Sequence, residues 1–197
     1  HLTTGFLGTP YLCHVLTRFG HTDLAYSLLL QETYPSWLYP VKMGATTIWE
    51  RWNGIRPDST FEPASMNSFN HYAYGAIGDW MYRVMTGIDT YEDGPGYKHI
   101  KIQPHIGGGF SFASANLQTY YGRLSSSWRT EGDNILMLVE IPVNTKATVY
   151  LPASNADAVT EDGKLLSAIK EVQVKEIKDG YVQLEIGSGV YHFNIAK

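Results

Sequence analysis

Residues 68–83, SFNHYAYGAIGDWMYR, decide how the first half of this chain folds. Phe69, Tyr72, Ala73, Ala76, Ile77, Trp80, Met81 and Val84 fall on one broad helical stripe, and Gly87 ends the pattern. The opposite face, formed by His71, Gly75, Gly78 and Tyr82, carries no charge at neutral pH. Each glycine inside a helix costs about 1 kcal/mol relative to alanine, so two of them predict close packing against that face. A helix that is apolar on one side and glycine-lined on the other is expected to be buried on both. The inner helix of a double-layered helical barrel has that character. His71 stands in the first turn, at the open end of the inner face. The pattern alone leaves it as either a hydroxyl-binding imidazole or a satisfied interior histidine.

Upstream, residues 44–54 read GATTIWERWNG. Trp49, Glu50, Arg51 and Trp52 stand side by side between two glycines. Proteins bind sugars through aromatic faces that cover C–H bonds and through charged or amide groups that fix hydroxyls. A carboxylate flanked by indoles therefore reads as a saccharide site able to activate water. The competing reading is a Glu50–Arg51 surface pair beside tryptophans that only fill a core.

The segments before this stretch are helical. Tyr11, Leu12, Val15, Leu16 and Phe19 share one face, with Thr9-Pro10 as the start signal and Gly20 as the stop. Thr22-Asp23 opens a second helix carrying Leu24, Leu28 and Leu29, which ends before Tyr34-Pro35. The short connection makes the two antiparallel neighbours. Cys13 and His14 read as packing or surface residues. From Pro35 to Asn67 the pattern is broken by four prolines and two glycines, with a short helix expected at Ala45–Trp52. An irregular stretch this long tends to be functional.

After Asp93-Gly94-Pro95-Gly96 the period changes from helical to alternating. Strands are expected at 97–102, 115–131 with a break at Gly122, 134–142, 145–151, 158–161, 171–177, 181–186 and 190–195. Turn signals separate them at Gly132-Asp133, Asn144, Asp162-Gly163, Asp179-Gly180 and Gly187-Ser188-Gly189. This predicts an antiparallel β-sandwich over 94–197, following a helical part over 1–93. The fold class is α+β in two parts.

The 197 residues are 44% hydrophobic and 17% charged, with a net charge of −4, which is ordinary for a globular protein. Without a basic run, nucleic acid and anionic membrane are not expected partners. No apolar run approaches the roughly 20 residues needed to span a bilayer. The single cysteine leaves the compartment open. Phosphate-loop, nucleophile-elbow and calcium-loop patterns are missing, and neither cofactor nor metal is proposed. The chain opens at His1 directly into a helical pattern, as expected of a piece of a longer protein.

Four segments together carry a resemblance: TTGFLGTPYL (3–12), QETYPSWLYPVKMGATTIWERWNG (31–54), SFNHYAYGAIGDWMYR (68–83) and YKHIKIQP (97–104). They resemble the C-terminal part of glycoside hydrolase family 78 α-L-rhamnosidases over nearly the whole chain, most strongly in the first hundred residues. The resemblance implies the last helices of an (α/α)6 barrel followed by a C-terminal β-sandwich. It also implies hydrolysis of terminal α-L-rhamnose with inversion of configuration. It makes Glu50 the general base and His71 a rhamnose ligand; Trp49 and Trp52 are added here as walls of the sugar site. Inversion needs a second carboxyl group roughly 6.5–9.5 Å away as general acid. In the family that acid lies upstream of the stretch matching His1, and Asp58, Glu62 and Asp79 do not match it. The fragment alone is therefore expected to be nearly inactive. Its barrel helices are expected to be covered by the remainder of the enzyme or by self-association. Two alternatives stay open: a non-catalytic carbohydrate-binding or scaffold fragment, and a related helical-barrel hydrolase with another sugar preference.

Overall fold

The computed structural model describes residues 1–196, which form two compact units, His1–Met81 and a second from Tyr82 onward. The first unit opens with helix α1 (Thr9–Arg18), with proline in its first turn, and α2 (Thr22–Leu29). Gly20, at φ +81°, makes the turn between them in a backbone region that favours glycine. The two helices pack against each other around Leu2, Cys13, Ala25, Tyr26 and Trp80. Trp80 meets the Tyr26 ring edge-on at 5.0 Å, and its indole N–H donates to the Thr17 hydroxyl at 2.9 Å. Burial pushes the Cys13 thiol up to about 11, which makes it an inert packing group. Part of the apolar stripe of α1 faces outward: Tyr11 is 68% and Phe19 70% exposed.

Two local expectations are corrected. Residues 45–52 are not helical. A short helix α3 (Leu38–Lys42) precedes them instead, and Gly44 at φ +87° follows it. The backbone of 48–50 is drawn out and hydrogen-bonds to 68–71, which a helix would forbid. The helix anticipated from residue 68 begins only at Ala73. It runs as a 3-10 turn (Ala73–Ala76), then α4 (Ile77–Trp80), and a π-helical turn follows at Met81–Met85. Ala73, Trp80 and Val84 of the stripe are buried, but Tyr72 is 88% exposed because it lies before the first turn. A Cβ at Gly75 would touch Ile48 at 3.4 Å, whereas one at Gly78 would meet nothing within 4 Å. Among the described residues the glycine face is therefore only partly covered.

The second unit is a β-sandwich. Its strands are β1 (Ile88–Thr90), β2 (His99–Ile102), β3 (Phe112–Thr119), β4 (Gly122–Glu131), β5 (Asn134–Ile141), β6 (Lys146–Leu151), β7 (Val159–Glu161), β8 (Lys164–Leu165), β9 (Gln173–Lys178), β10 (Tyr181–Ile186) and β11 (Gly189–Ala196). They form a five-stranded sheet ordered β1-β2-β6-β10-β9 and a six-stranded sheet ordered β3-β4-β5-β11-β7-β8. All pairings are antiparallel except β2 with β6, where Ile100 faces Ala147 and Ile102 faces Val149 in parallel register. Strand β1 lies ahead of the expected boundary at 93/94. Its pairing of Ile88 with Ile102 explains why the compact unit begins earlier.

Alternation places Ile100, Ile102, Val149, Leu151, Val182 and Leu184 of one sheet in the core, with Leu124, Trp128, Val139 and Phe193 of the other. Asp162-Gly163 and Asp179-Gly180 are two-residue hairpin turns with positive φ at both positions. Two buried side chains of β4 satisfy carbonyls preceding β1. Ser126 donates to the Thr86 carbonyl at 2.7 Å and the Trp128 indole N–H to that of Met85 at 2.7 Å.

Candidate active site

Glu50 and His71 lie on two non-helical segments that are laced together by their backbones. The His71 N–H donates to the Ile48 carbonyl at 2.9 Å, and the Glu50 N–H donates to the Ser68 carbonyl at 2.8 Å. The Thr47 hydroxyl adds a bond to the Phe69 carbonyl. Two peptide steps of 3.8 Å and one hydrogen-bonded pair limit the Glu50–His71 Cα separation to roughly 13 Å. Both side chains are partly exposed, and neither is buried in the core.

Each of the two groups is held by a further contact. Glu50 Oε2 accepts the Ser68 N–H at 2.8 Å, which turns the carboxylate and leaves its other oxygen without a bond among the described residues. The His71 ring lies between Phe6 and Tyr72, stacked on the first at 4.8 Å and on the second at 5.3 Å. Its Nδ1 accepts the Ala73 N–H at 3.3 Å. Nδ1 is therefore the acceptor, and a neutral ring carries its proton on Nε2, where it can donate to an incoming hydroxyl.

The indoles sit differently. Trp49 is 4% and Trp52 8% exposed. Trp49 packs edge-on against Phe69 at 5.1 Å, while Trp52 stacks on Tyr74 at 3.6 Å and meets the Trp37 ring edge-on at 5.7 Å. The Trp37 indole N–H in turn donates to the Tyr74 carbonyl at 2.9 Å. Added chain can only increase burial, so these rings form the bed beneath the Glu50 segment. The structure does not bring them together with Glu50 and His71 as open walls.

Arg51 points to Glu62 at 3.3 Å, which removes the simple Glu50–Arg51 surface pair as a description of this stretch. Glu62 also accepts two bonds from Arg56 at 2.9 Å and one from Asn53 at 2.7 Å. Asn67 clamps the base of the same loop by donating to the carbonyls of Gly54 and Glu62. Hydrogen bonds from Arg56 hold the Glu62 carboxyl below the usual glutamate range, and Thr60 does the same for Asp58. Neither is a proton donor at neutral pH. Asp79 is engaged by His14 at 2.9 Å. The contributions of Phe6, Ser68 and Asn67 have no signal in local sequence pattern, because each acts across a loop.

A few helices followed by two packed sheets is the architecture this chain shares with solved α-L-rhamnosidases. The structure of Streptomyces avermitilis α-L-rhamnosidase complexed with L-rhamnose superposes at a TM-score of 0.90 with 42% identity, over 99% of this chain and 18% of that one. That of α-L-rhamnosidase from Dictyoglumus thermophilum gives 0.85 and 35%, over 100% of this chain and 21% of that one. The chain belongs to the bacterial α-L-rhamnosidase family: residues 1–85 match the six-hairpin glycosidase domain and residues 87–166 the C-terminal domain. The curated S. avermitilis α-L-rhamnosidase is 43% identical over 196 residues, and one from Formosa agariphila 43% over 193. These alignments take in 99% and 98% of this chain but 18% and 21% of the relatives, so the chain spans about a fifth of the length of the curated proteins it matches.

Proposed function

We propose that the protein to which these residues belong is an inverting α-L-rhamnosidase that releases terminal α-L-rhamnose from glycosides. In this reading Glu50 is the general base, removing a proton from the water that attacks the anomeric carbon. His71 donates from Nε2 to a sugar hydroxyl. Trp49 and Trp52 belong to the site as its support, keeping the Glu50 segment level against Phe69 and Tyr74. A general acid outside these residues protonates the leaving oxygen, since Asp58 and Glu62 are held ionised.

The observation that carries this reading is the two-way tie between Glu50 and Ser68, which aims a partly exposed carboxylate from the segment joined to His71. The outward stripe of Tyr11 and Phe19 fits helices covered by the rest of a longer chain. On this reading the 197-residue chain alone turns over an aryl rhamnoside far more slowly than the longer enzyme, because acid assistance is worth roughly 10²–10⁴-fold.

Glu50→Gln in the full-length enzyme is the test. Glutamine keeps an acceptor oxygen for the Ser68 N–H but cannot take a proton. Turnover of an aryl α-L-rhamnoside should fall by roughly 10²–10⁴-fold with the melting temperature nearly unchanged. Retained turnover would remove Glu50 from the chemistry.

A further inference from the structure

The outward face of the five-stranded sheet carries a second set of converging groups. Tyr150 on β6 is opposite Gln183 on β10, which is opposite Glu176 on β9. Gln103 follows directly on Ile102, the partner of Val149, so it enters the same row beside Tyr150. Tyr181 and Lys178 form the next row, two residues along each strand and hence on the same face. These side chains line a cavity of about 230 Å³.

The chemistry of this lining is specific. The Tyr150 and Tyr181 rings stand at 82° with centroids 6.2 Å apart and so make an aromatic corner. Their hydroxyls are already engaged, Tyr150 with Tyr91 at 2.8 Å and Tyr181 with the Pro104 carbonyl at 3.3 Å. The rings therefore present apolar surface. Lys101 sits over the Tyr150 ring at 5.6 Å but is not part of the cavity lining. The amides of Gln103 and Gln183 have no hydrogen-bond partner among the described residues, so each offers donors and an acceptor to a guest. Glu176 and Asp179 outnumber Lys178 in the lining, which leaves no excess of positive charge for an anion. A volume below the roughly 300–1,000 Å³ of drug-sized sites suits a single ring.

We propose that this cavity binds one neutral pyranose unit of a saccharide. The tyrosine corner covers the C–H face, and the two glutamines bridge adjacent hydroxyls. This site does not depend on the role of Glu50, and the two are read out on different residues.

The test is a residue-resolved NMR titration of the 197-residue chain with L-rhamnose, methyl α-L-rhamnoside, D-glucose and D-galactose. Each sugar is taken to about 50 mM, above the millimolar dissociation constants of weak sites. Saturable shifts of the Gln103 and Gln183 side-chain amides are expected with at least one sugar. The double variant Gln103→Ala/Gln183→Ala should keep its dispersed spectrum and weaken that binding at least tenfold. Amide signals unmoved by all four sugars, or affinity unchanged in the folded double variant, would overturn the proposal.

Discussion

Glu50 and Ser68 exchange two hydrogen bonds across eighteen residues of sequence. The Glu50 N–H donates to the Ser68 carbonyl, and the Ser68 N–H donates to the Glu50 carboxylate, both at 2.8 Å. The main chain of one loop thereby sets both the position and the rotation of the acid on the other. The Ser68 hydroxyl is not part of this ring; it accepts the Asn70 N–H at 3.2 Å.

That division predicts opposite outcomes for two substitutions in the full-length enzyme. Ser68→Ala keeps the N–H and should leave kcat within about threefold, a difference of under 1 kcal/mol. Ser68→Pro removes the donor and should lower kcat about tenfold or more, the equivalent of one lost hydrogen bond to a charged group. Steady-state kinetics on an aryl rhamnoside, with circular dichroism to confirm folding, separates the two.

Gly54 is predicted to tolerate no side chain. A Cβ there would stand 2.7 Å from Asn67 Oδ1, 3.1 Å from the Phe69 ring and 3.3 Å from the Trp49 ring. Asn67 cannot swing away without breaking its bonds to the Gly54 and Glu62 carbonyls. Gly54→Ala should cost about 1–3 kcal/mol, the usual range for overpacking. Urea unfolding followed by tryptophan fluorescence would report it.

The Arg51–Glu62–Arg56 cluster predicts an acid-labile loop. Arg56 and its neighbours depress the Glu62 pKa in the folded state relative to the ordinary value of 4.5. A depressed folded value means that the cluster's stabilisation is complete above pH 4.5 and is lost as pH falls through the lowered value. The hydrogen-exchange protection of residues 53–62, taken relative to the intrinsic exchange rate at each pH, should fall over that acid window. In Glu62→Gln the same residues should be less protected already at pH 7, with the remaining acid response confined to the Asp58–Thr60 turn.

In the sandwich, Ser126→Ala would leave the buried Thr86 carbonyl without its 2.7 Å donor. The expected cost is about 1–3 kcal/mol, that of an unsatisfied buried acceptor. Ser125 has its hydroxyl 3.2 Å from the partly exposed Glu140, and Ser125→Ala should change stability by less than about 0.5 kcal/mol. Thermal melts of the two variants check the contrast.

The sandwich was the more legible half of the sequence. Nine of its strands follow from alternation, and its turns fall where Asp-Gly and Asn supply the positive φ that hairpins need. Strand β1, at three residues, and β8, at two, are too short to show a period. In the helical half, α1 and α2 are readable from their starts and stops, but residues 68–72 carry a helical stripe and are not helical. There a long-range pairing with 48–50 outcompetes local propensity.

Alternation, turn chemistry and the chemical character of Glu50 and His71 are local properties, so the sequence by itself determined the two-part α+β fold and nominated both candidate groups. Only the tertiary structure decided that Arg51 turns to Glu62, that Trp49 and Trp52 are buried, and that β2 runs parallel to β6. Those outcomes depend on which distant segments close on one another. Loop closure is governed by the summed packing of the whole unit, and no window of neighbouring residues encodes it.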